Sequence, residues 1–240
     1  MIKLKHLLFE AGQQSAGKLE LVSTSIEKAY KYASDLFGQN NINIDKALPN
    51  FKKNYAVAQK KATTGKTQRK DMPVIDSSDV KALQTRLSNG YIDIAAPHAP
   101  AIKNNDPFPQ GLTGAAAERW LRNGLKQNDG AKSNKDDVVK VNRGTIAVNK
   151  LKPIQKQIYF DKAVNSIAKF GSKASASHLG KLIFITSADN YIIDGHHRFL
   201  SAMLIDPTMT VSVLSIDLPL SKLLPFALAY GDAIGNKRNA

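Results

Sequence analysis

"KLIFITSADNYIIDGHHRFLSAMLIDPTMTVSVLSID", Lys181–Asp217, decides the fold. Its first half, "KLIFITSADNYIIDG", reads as two apolar strands joined by a turn at Ala188, Asp189 and Asn190. Gly195 breaks the second strand, "HHRFLSAML" is a short helix, and "TVSVLSID" alternates as a further strand. Strand, helix and strand within about 30 residues form a crossover unit, whose natural home is a mixed sheet.

Working outward, "VVKVNRGTIAV" (138–148) predicts a strand or hairpin. After Pro153 comes a helical segment holding Ile158, Ala163, Val164 and Ile167, then a Ser/Ala/Gly-rich loop around "GSKASASHLG". "PLSKLLPFALAYGDA" predicts a closing helix in which Pro225 introduces a bend. The expected class is therefore α+β, a mixed sheet flanked by helices.

The first seventy residues have a different texture. In "VSTSIEKAYKYASDLF" (22–37) Ile26, Tyr30, Ala33 and Phe37 recur at spacings of three and four, with Ser and Thr available to cap the start and Gly38 to end it. "FKKNYAVAQKKATTGKTQRK" (51–70) holds seven basic residues and no acid: Lys52, Lys53, Lys60, Lys61, Lys66, Arg69 and Lys70. As a basic arm or a solvated helix face it would track phosphates through charge; a flexible linker is the competing reading. "TTGKT" inside it is not a phosphate loop, because Lys60 stands where the first glycine belongs and the segment before it is too short and polar for the required strand.

Pro73, Val74 and Ile75 predict a short strand. Ser78 or Asp79 then caps a helix with Val80, Leu83 and Leu87 on one face, closed by Asn89 and Gly90. Residues 95–114 are rich in Pro, Asn and Gly, hence loop. A helix follows at "AAAERWLRNGL", with Trp120 placed in the core rather than as a base-stacking platform, and "QNDGAKSNKDD" (127–137) is a polar loop. The division this suggests is a basic helical extension over 11–70 and an α/β domain over 71–240.

Composition narrows the partners. The chain has 240 residues, and Lys plus Arg exceed Asp plus Glu by 14. Such an excess favours a polyanion, with solubility alone as the plain alternative. The absence of cysteine excludes disulfides, thiolate catalysis and cysteine-based zinc sites. No apolar run approaches the roughly 20 residues of a membrane-spanning helix, and the apolar stretch in "MIKLKHLLFEAG" is too short for a secretory signal. No membrane partner is expected, and the cytoplasm is the expected compartment. Leu8, Phe9, Glu10 and Ala11 spell L-x-E followed by a small residue, which resembles the capsid-targeting propeptides of large tailed bacteriophages. That resemblance implies removal of residues 1–10 and packaging inside the virion head with the DNA; the competing reading has Leu7, Leu8 and Phe9 anchor a first helical turn to the core.

The candidate site is the turn Asp194, Gly195, His196, His197, Arg198. Glycine frees the backbone to turn sharply, and the following helix points unpaired N–H groups and its positive dipole end at the turn. Arg198 adds a planar fork suited to phosphate oxygens, and either imidazole can hydrogen-bond a phosphate or exchange a proton near neutral pH. Asp194 is able to take a hydroxyl proton, hold an imidazole or coordinate a magnesium ion bridging phosphates. The structural alternative has Asp194 cap the helix, one histidine buried and satisfied, and Arg198 paired with Asp194. Zinc is the weaker metal reading, since neighbouring side chains rarely reach one ion.

"IIDGHHRFLSAML" is similar to the box of the ParB/sulfiredoxin superfamily, and its D-G-H-H-R form resembles those of the ParB-related free serine kinases and of phage ParB-like nuclease-domain proteins. "LKPIQKQIYFDKAV" resembles the family's first box, with Pro153 and Gln155. "RKDMPVI" is similar to an entry segment of phage versions. The resemblance covers Leu151 to Asp217. It implies a ParB-like α/β domain that cradles the phosphates of a nucleotide or nucleic acid at Gly195, His197 and Arg198, with Lys152 and Gln155 on the opposite wall. It also implies a phosphoryl-transfer enzyme such as a DNA nuclease, with Asp194, His196, His197 and Arg198 as catalytic candidates and Mg2+ at Asp194 as an optional cofactor. Two departures limit it: sulfiredoxin chemistry needs a cysteine, and Gln155 stands near the place of the kinases' catalytic glutamate and is no base. The alternatives are a non-enzymatic DNA-binding internal head protein and a nucleotide-dependent small-molecule kinase.

Overall fold

Ser25, extended and just ahead of the first amphipathic run, accepts the amide of Lys28 at 3.2 Å and so sets where the first helix begins. In the computed structural model, which describes residues 19–75, 91–93 and 138–233, the helices are α1 Ile26–Gln39, α2 Ile44–Ala47, α3 Phe51–Ala62, α4 Phe160–Phe170, α5 Ser172–Lys181, α6 His196–Ile205 and α7 Leu220–Ala233. The strands are β1 Tyr91–Asp93, β2 Val138–Ala147, β3 Ile183–Ser187, β4 Ile192–Asp194 and β5 Thr210–Ile216. They form one sheet of order β1-β2-β5-β3-β4, so the class is α+β. The targeting motif at Leu8–Ala11, the helix of Val80, Leu83 and Leu87, the loop 95–114, the Trp120 helix and the polar loop 127–137 lie outside the described residues.

Two units divide the chain. The first takes the described residues of 1–66, 145–182 and 195–212, hence α1 to α6 and the loop before α4. Its core is aromatic. Phe51 stacks on Tyr55 at 5.8 Å between centroids, and Phe160 meets both edge-on at 5.9 and 5.4 Å. All three are fully buried or nearly so, each contributing a few kcal/mol against truncation to alanine. The buried Tyr55 hydroxyl donates to the carbonyls of Leu21 and Thr24, which fastens the chain before α1 to α3. The basic stretch is thus neither arm nor linker up to Ala62: it is a packed helix with Phe51, Asn54, Tyr55, Ala58 and Ala62 inward and its lysines outward.

The second unit takes 67–144, 183–194 and 213–240, and holds most of the sheet together with α7. β1 pairs antiparallel with β2, and β3 with β4. Ile185 faces Asp194 while Thr186 faces Ile192, so the register slips by one at Ile193. This bulge lets two consecutive residues, Ile192 and Ile193, be buried in one strand. Asn190 takes φ +65° in the expected turn. The neighbouring Asp189 carboxylate accepts from Ser187 Oγ at 2.6 Å and from the Leu220 amide at 3.1 Å, capping α7 from a distant part of the chain.

Several expectations need correction. Helix α1 starts four residues later than read, because Ser25 rather than an earlier hydroxyl caps it, and it runs through Gly38. Pro73–Ile75 is not a strand; a 3-10 turn at Arg69–Asp71 leads into extended chain with Met72, Pro73 and Ile75 buried. "GSKASASHLG" is helix α5, since Ser175 and Leu179, one turn apart, bury on a common side. The helix after Pro153 begins only at Phe160: Ile158 belongs to the loop and its carbonyl accepts the Leu21 amide at 2.8 Å. Of the two forms expected for 138–148, the strand is the one found, over Val138–Ala147.

Candidate functional site

Gly195 holds the turn between β4 and α6 with φ +116°, a value open to glycine and strained for any other residue. The turn is also where the two units meet along the chain, Asp194 falling in the second and Gly195–Arg198 in the first.

His196, the first residue of α6, is 4% exposed. Its Nε2 accepts the backbone amides of Ile154 and Gln155 at 3.1 and 3.2 Å. Burial first, then the charges of His197 and Arg198, push its pKa down to about 3. A ring that accepts through Nε2 while neutral carries its proton on Nδ1. With that lone pair held by two amides and the charged form disfavoured, His196 is no proton carrier near neutral pH. The acid–base role expected of it gives way to a structural one.

His197 does similar work one residue on. Its Nε2 accepts the Tyr159 amide at 3.2 Å, and its ring lies over the Tyr159 ring at 6.0 Å and 20°. Two adjacent imidazoles thus pin both ends of the loop from Ile154 to Tyr159. The loop is held from other sides as well. The Leu19 carbonyl accepts the Phe160 amide at 2.7 Å, and a β carbon placed on Gly65 would lie 2.8 Å from the Gln155 carbonyl oxygen and 3.0 Å from that of Ile154. Gly65 follows α3 instead of opening a helix, so "TTGKT" is the packed end of a helix and not a phosphate cradle.

Just ahead of this pinned loop cations gather. The half-buried Lys61, from the last turn of α3, points its ammonium at the Leu151 carbonyl, 3.4 Å away. Lys150 and Lys152 flank Leu151 in sequence and are exposed. Burial, then Lys152 and Lys150, lower the Lys61 pKa from the usual lysine value, so the field there is positive. A second group includes Arg198. Burial, then Lys181 and Arg198, lower the pKa of His178, whose Nε2 is buried without a hydrogen-bond partner.

The other predicted residues fall as follows. Gln155 is buried and donates from Nε2 to the Gln157 carbonyl, which makes it part of the loop rather than a wall facing a ligand. Lys52, Lys53, Lys60 and Lys66 are exposed, and Lys52 Nζ sits 4.8 Å from the Tyr30 ring centre. Arg69 and Lys70 belong to the second unit. Asp194 ends β4, and among the described residues no three side chains of His, Cys, Asp or Glu gather in a way that would hold a metal ion. No described helix is long and apolar enough to cross a membrane. An open concavity of about 800 Å³ in the first unit, lined by Asn43, Lys46, Phe170, Gly171 and Lys173 among others, includes none of the predicted site residues.

Sequence reasoning passed over Lys150, His178 and Lys181. Lys150 had a signal: in "KLKP" two lysines alternate around a leucine that is buried, so both point outward just before a proline-ordered loop. His178 lay in a stretch read as loop and Lys181 at the start of one read as strand, which hid the helix that presents them. No family model, curated protein or solved structure matches the chain.

Proposed function

We propose that this protein binds the phosphates of a nucleic acid or nucleotide, as a ParB-like, non-enzymatic DNA-binding protein, through the first-unit surface that carries Arg198. The observation behind this reading is the occupation of both imidazoles. His196 and His197 each accept backbone amides through Nε2, so they shape the loop at 154–159 and leave the ligand-directed work to Arg198 and its cationic neighbours. A guanidinium at the first turn of a helix joins fixed charge to amide donors and dipole, a combination suited to phosphate oxygens. The overall excess of 14 positive charges supports a polyanionic ligand, and the L-x-E motif at Leu8–Glu10 supports a phage-head setting.

The test is direct. Wild-type protein is titrated into labelled DNA, and separately incubated with plasmid DNA and Mg2+. Binding that Arg198→Ala weakens, without cleavage, is the expected result. Magnesium-dependent cleavage abolished by His197→Ala or Asp194→Asn replaces the reading with the nuclease one. A thermal shift with ATP and none with DNA replaces it with the kinase one.

A further inference from the structure

Just ahead of the loop that the histidines pin, the chain presents a group of lysines. Lys61 reaches across from the end of α3 to within 3.4 Å of the Leu151 carbonyl, and the residues on either side of that leucine are Lys150 and Lys152. Leu151 is fully buried, so the backbone between the two lysines is fixed while their side chains are exposed. Three ammonium groups are thereby brought together by two elements that are far apart in sequence. The principal influences on Lys61 besides burial are the two other lysines, both unfavourable to its charge. A bound anion relieves that mutual repulsion.

We infer that Lys61, Lys150 and Lys152 form a phosphate subsite separate from Arg198, and that the ligand spanning both is a nucleic-acid strand. This rests on the phosphate-binding reading above. Two further features favour a polymer over a lone nucleotide. Exposed Lys60 and Lys66 lie on either side of Lys61 along the chain, and exposed Lys156 continues the loop beyond Lys152. The positive charge thus extends from the cluster in both chain segments, as a strand with successive phosphates requires. Lys61, being half-buried and directed at a carbonyl, positions the subsite, while Lys150 and Lys152 reach the phosphate.

Salt dependence tests it. A fluorescein-labelled single-stranded oligonucleotide and, separately, ATP are titrated with the full chain at several salt concentrations. The proteins compared are wild type, Lys150→Ala/Lys152→Ala, Arg198→Ala, and a charge-matched control, Lys28→Ala/Lys222→Ala, at two other exposed lysines. The loop double variant is expected to bind the oligonucleotide roughly tenfold more weakly at low salt and to lose about 1.4 from the log–log salt slope, near 0.7 for each single-strand phosphate contact. The control and ATP binding change little. If wild type binds the strand and Arg198→Ala weakens it while the loop variant behaves as the control, the subsite is wrong and the phosphate reading stands. If ATP binding falls as much as strand binding, the ligand is a nucleotide and the strand assignment is overturned. If wild type binds neither, both fail. Equal thermal midpoints for the variants exclude unfolding as the cause.

Discussion

Lys52, Lys53 and Lys60 on α3, and Lys150, Lys152 and Lys156 on the loop after β2, are exposed residues of one type, held by two different physical devices. The helix lysines sit on a scaffold whose hydrogen bonds are internal and whose opposite face is Phe51, Tyr55, Ala58 and Ala62. Their placement follows from an amphipathic period and needs nothing distant. Lys150 closes a 3-10 turn, Val148–Lys150, whose Val148 and Asn149 amides donate to the Met209 and Pro207 carbonyls, and Lys152 and Lys156 follow it. Just beyond Lys152, imidazoles of α6, more than 35 residues away in the chain, accept the amides of Ile154, Gln155 and Tyr159, and Gly65 packs closely against the Ile154 and Gln155 carbonyls. The first region is a local structure decorated with charge; the second is a charged surface that exists only when the tertiary fold is complete.

His196→Ala is the sharpest way to break that contrast. It strands two buried amides and leaves a cavity, for a loss on the order of 3 kcal/mol or more in urea unfolding. Hydrogen exchange at Ile154 and Gln155 is expected to accelerate far more than at the α3 amides; equal acceleration would mean that the helix depends on the same anchor. Acid has a related effect. Because the folded pKa of His196 is depressed to about 3, the unfolded chain binds a proton that the native state refuses. Its contribution is whole above the ordinary histidine value, and is lost as pH falls from about 6.5 toward 3. Wild type is expected to lose up to a few kcal/mol more than His196→Ala does across that window, followed by denaturation at each pH.

Gly65→Ala is a smaller perturbation, and probes the other side of the loop. The added carbon meets three backbone oxygens, those of Gln155, Ile154 and Ala62, at 2.8 to 3.1 Å, none of which is a flexible side-chain end. A loss of about 1–3 kcal/mol is expected by overpacking, with DNA affinity reduced beyond what stability explains. Unchanged thermal midpoint and affinity would show that the loop has slack. The smallest effect is expected from Lys52→Ala/Lys53→Ala, which removes charge from the helix face alone. Affinity for DNA is expected to drop about two- to threefold, through long-range attraction, against the larger loss at the loop. An equal or greater loss would move the main contact onto α3.

Much of the fold was legible. The strands at 183–187, 192–194 and 210–216, the turn at Asn190, the glycine break and the helices on either side each rest on local patterns of apolar period and turn chemistry. Misreadings occurred where packing overrode composition. The Ser- and Ala-rich α5 has little helical signature until Ser175 and Leu179 find a partner surface, and Pro153 to Tyr159 has the apolar content of a helix but gives its amides to two histidines. At the site, crowding around Gly195 was visible and the division of labour was not. An imidazole near a turn reads as chemistry in one dimension, and only burial with two amide donors shows His196 to be a fastening.

The order of residues alone therefore determined the crossover unit, the amphipathic α1 and the abundance of positive charge, because helical and strand periods, glycine turns and ionisation states are properties of short segments. Tertiary structure alone decided which cations meet. Lys61 and Lys150 are 89 positions apart, and nothing in either segment encodes their approach: it follows from aromatic packing beneath α3 and from the Met209 and Pro207 carbonyls that hold the turn before Leu151.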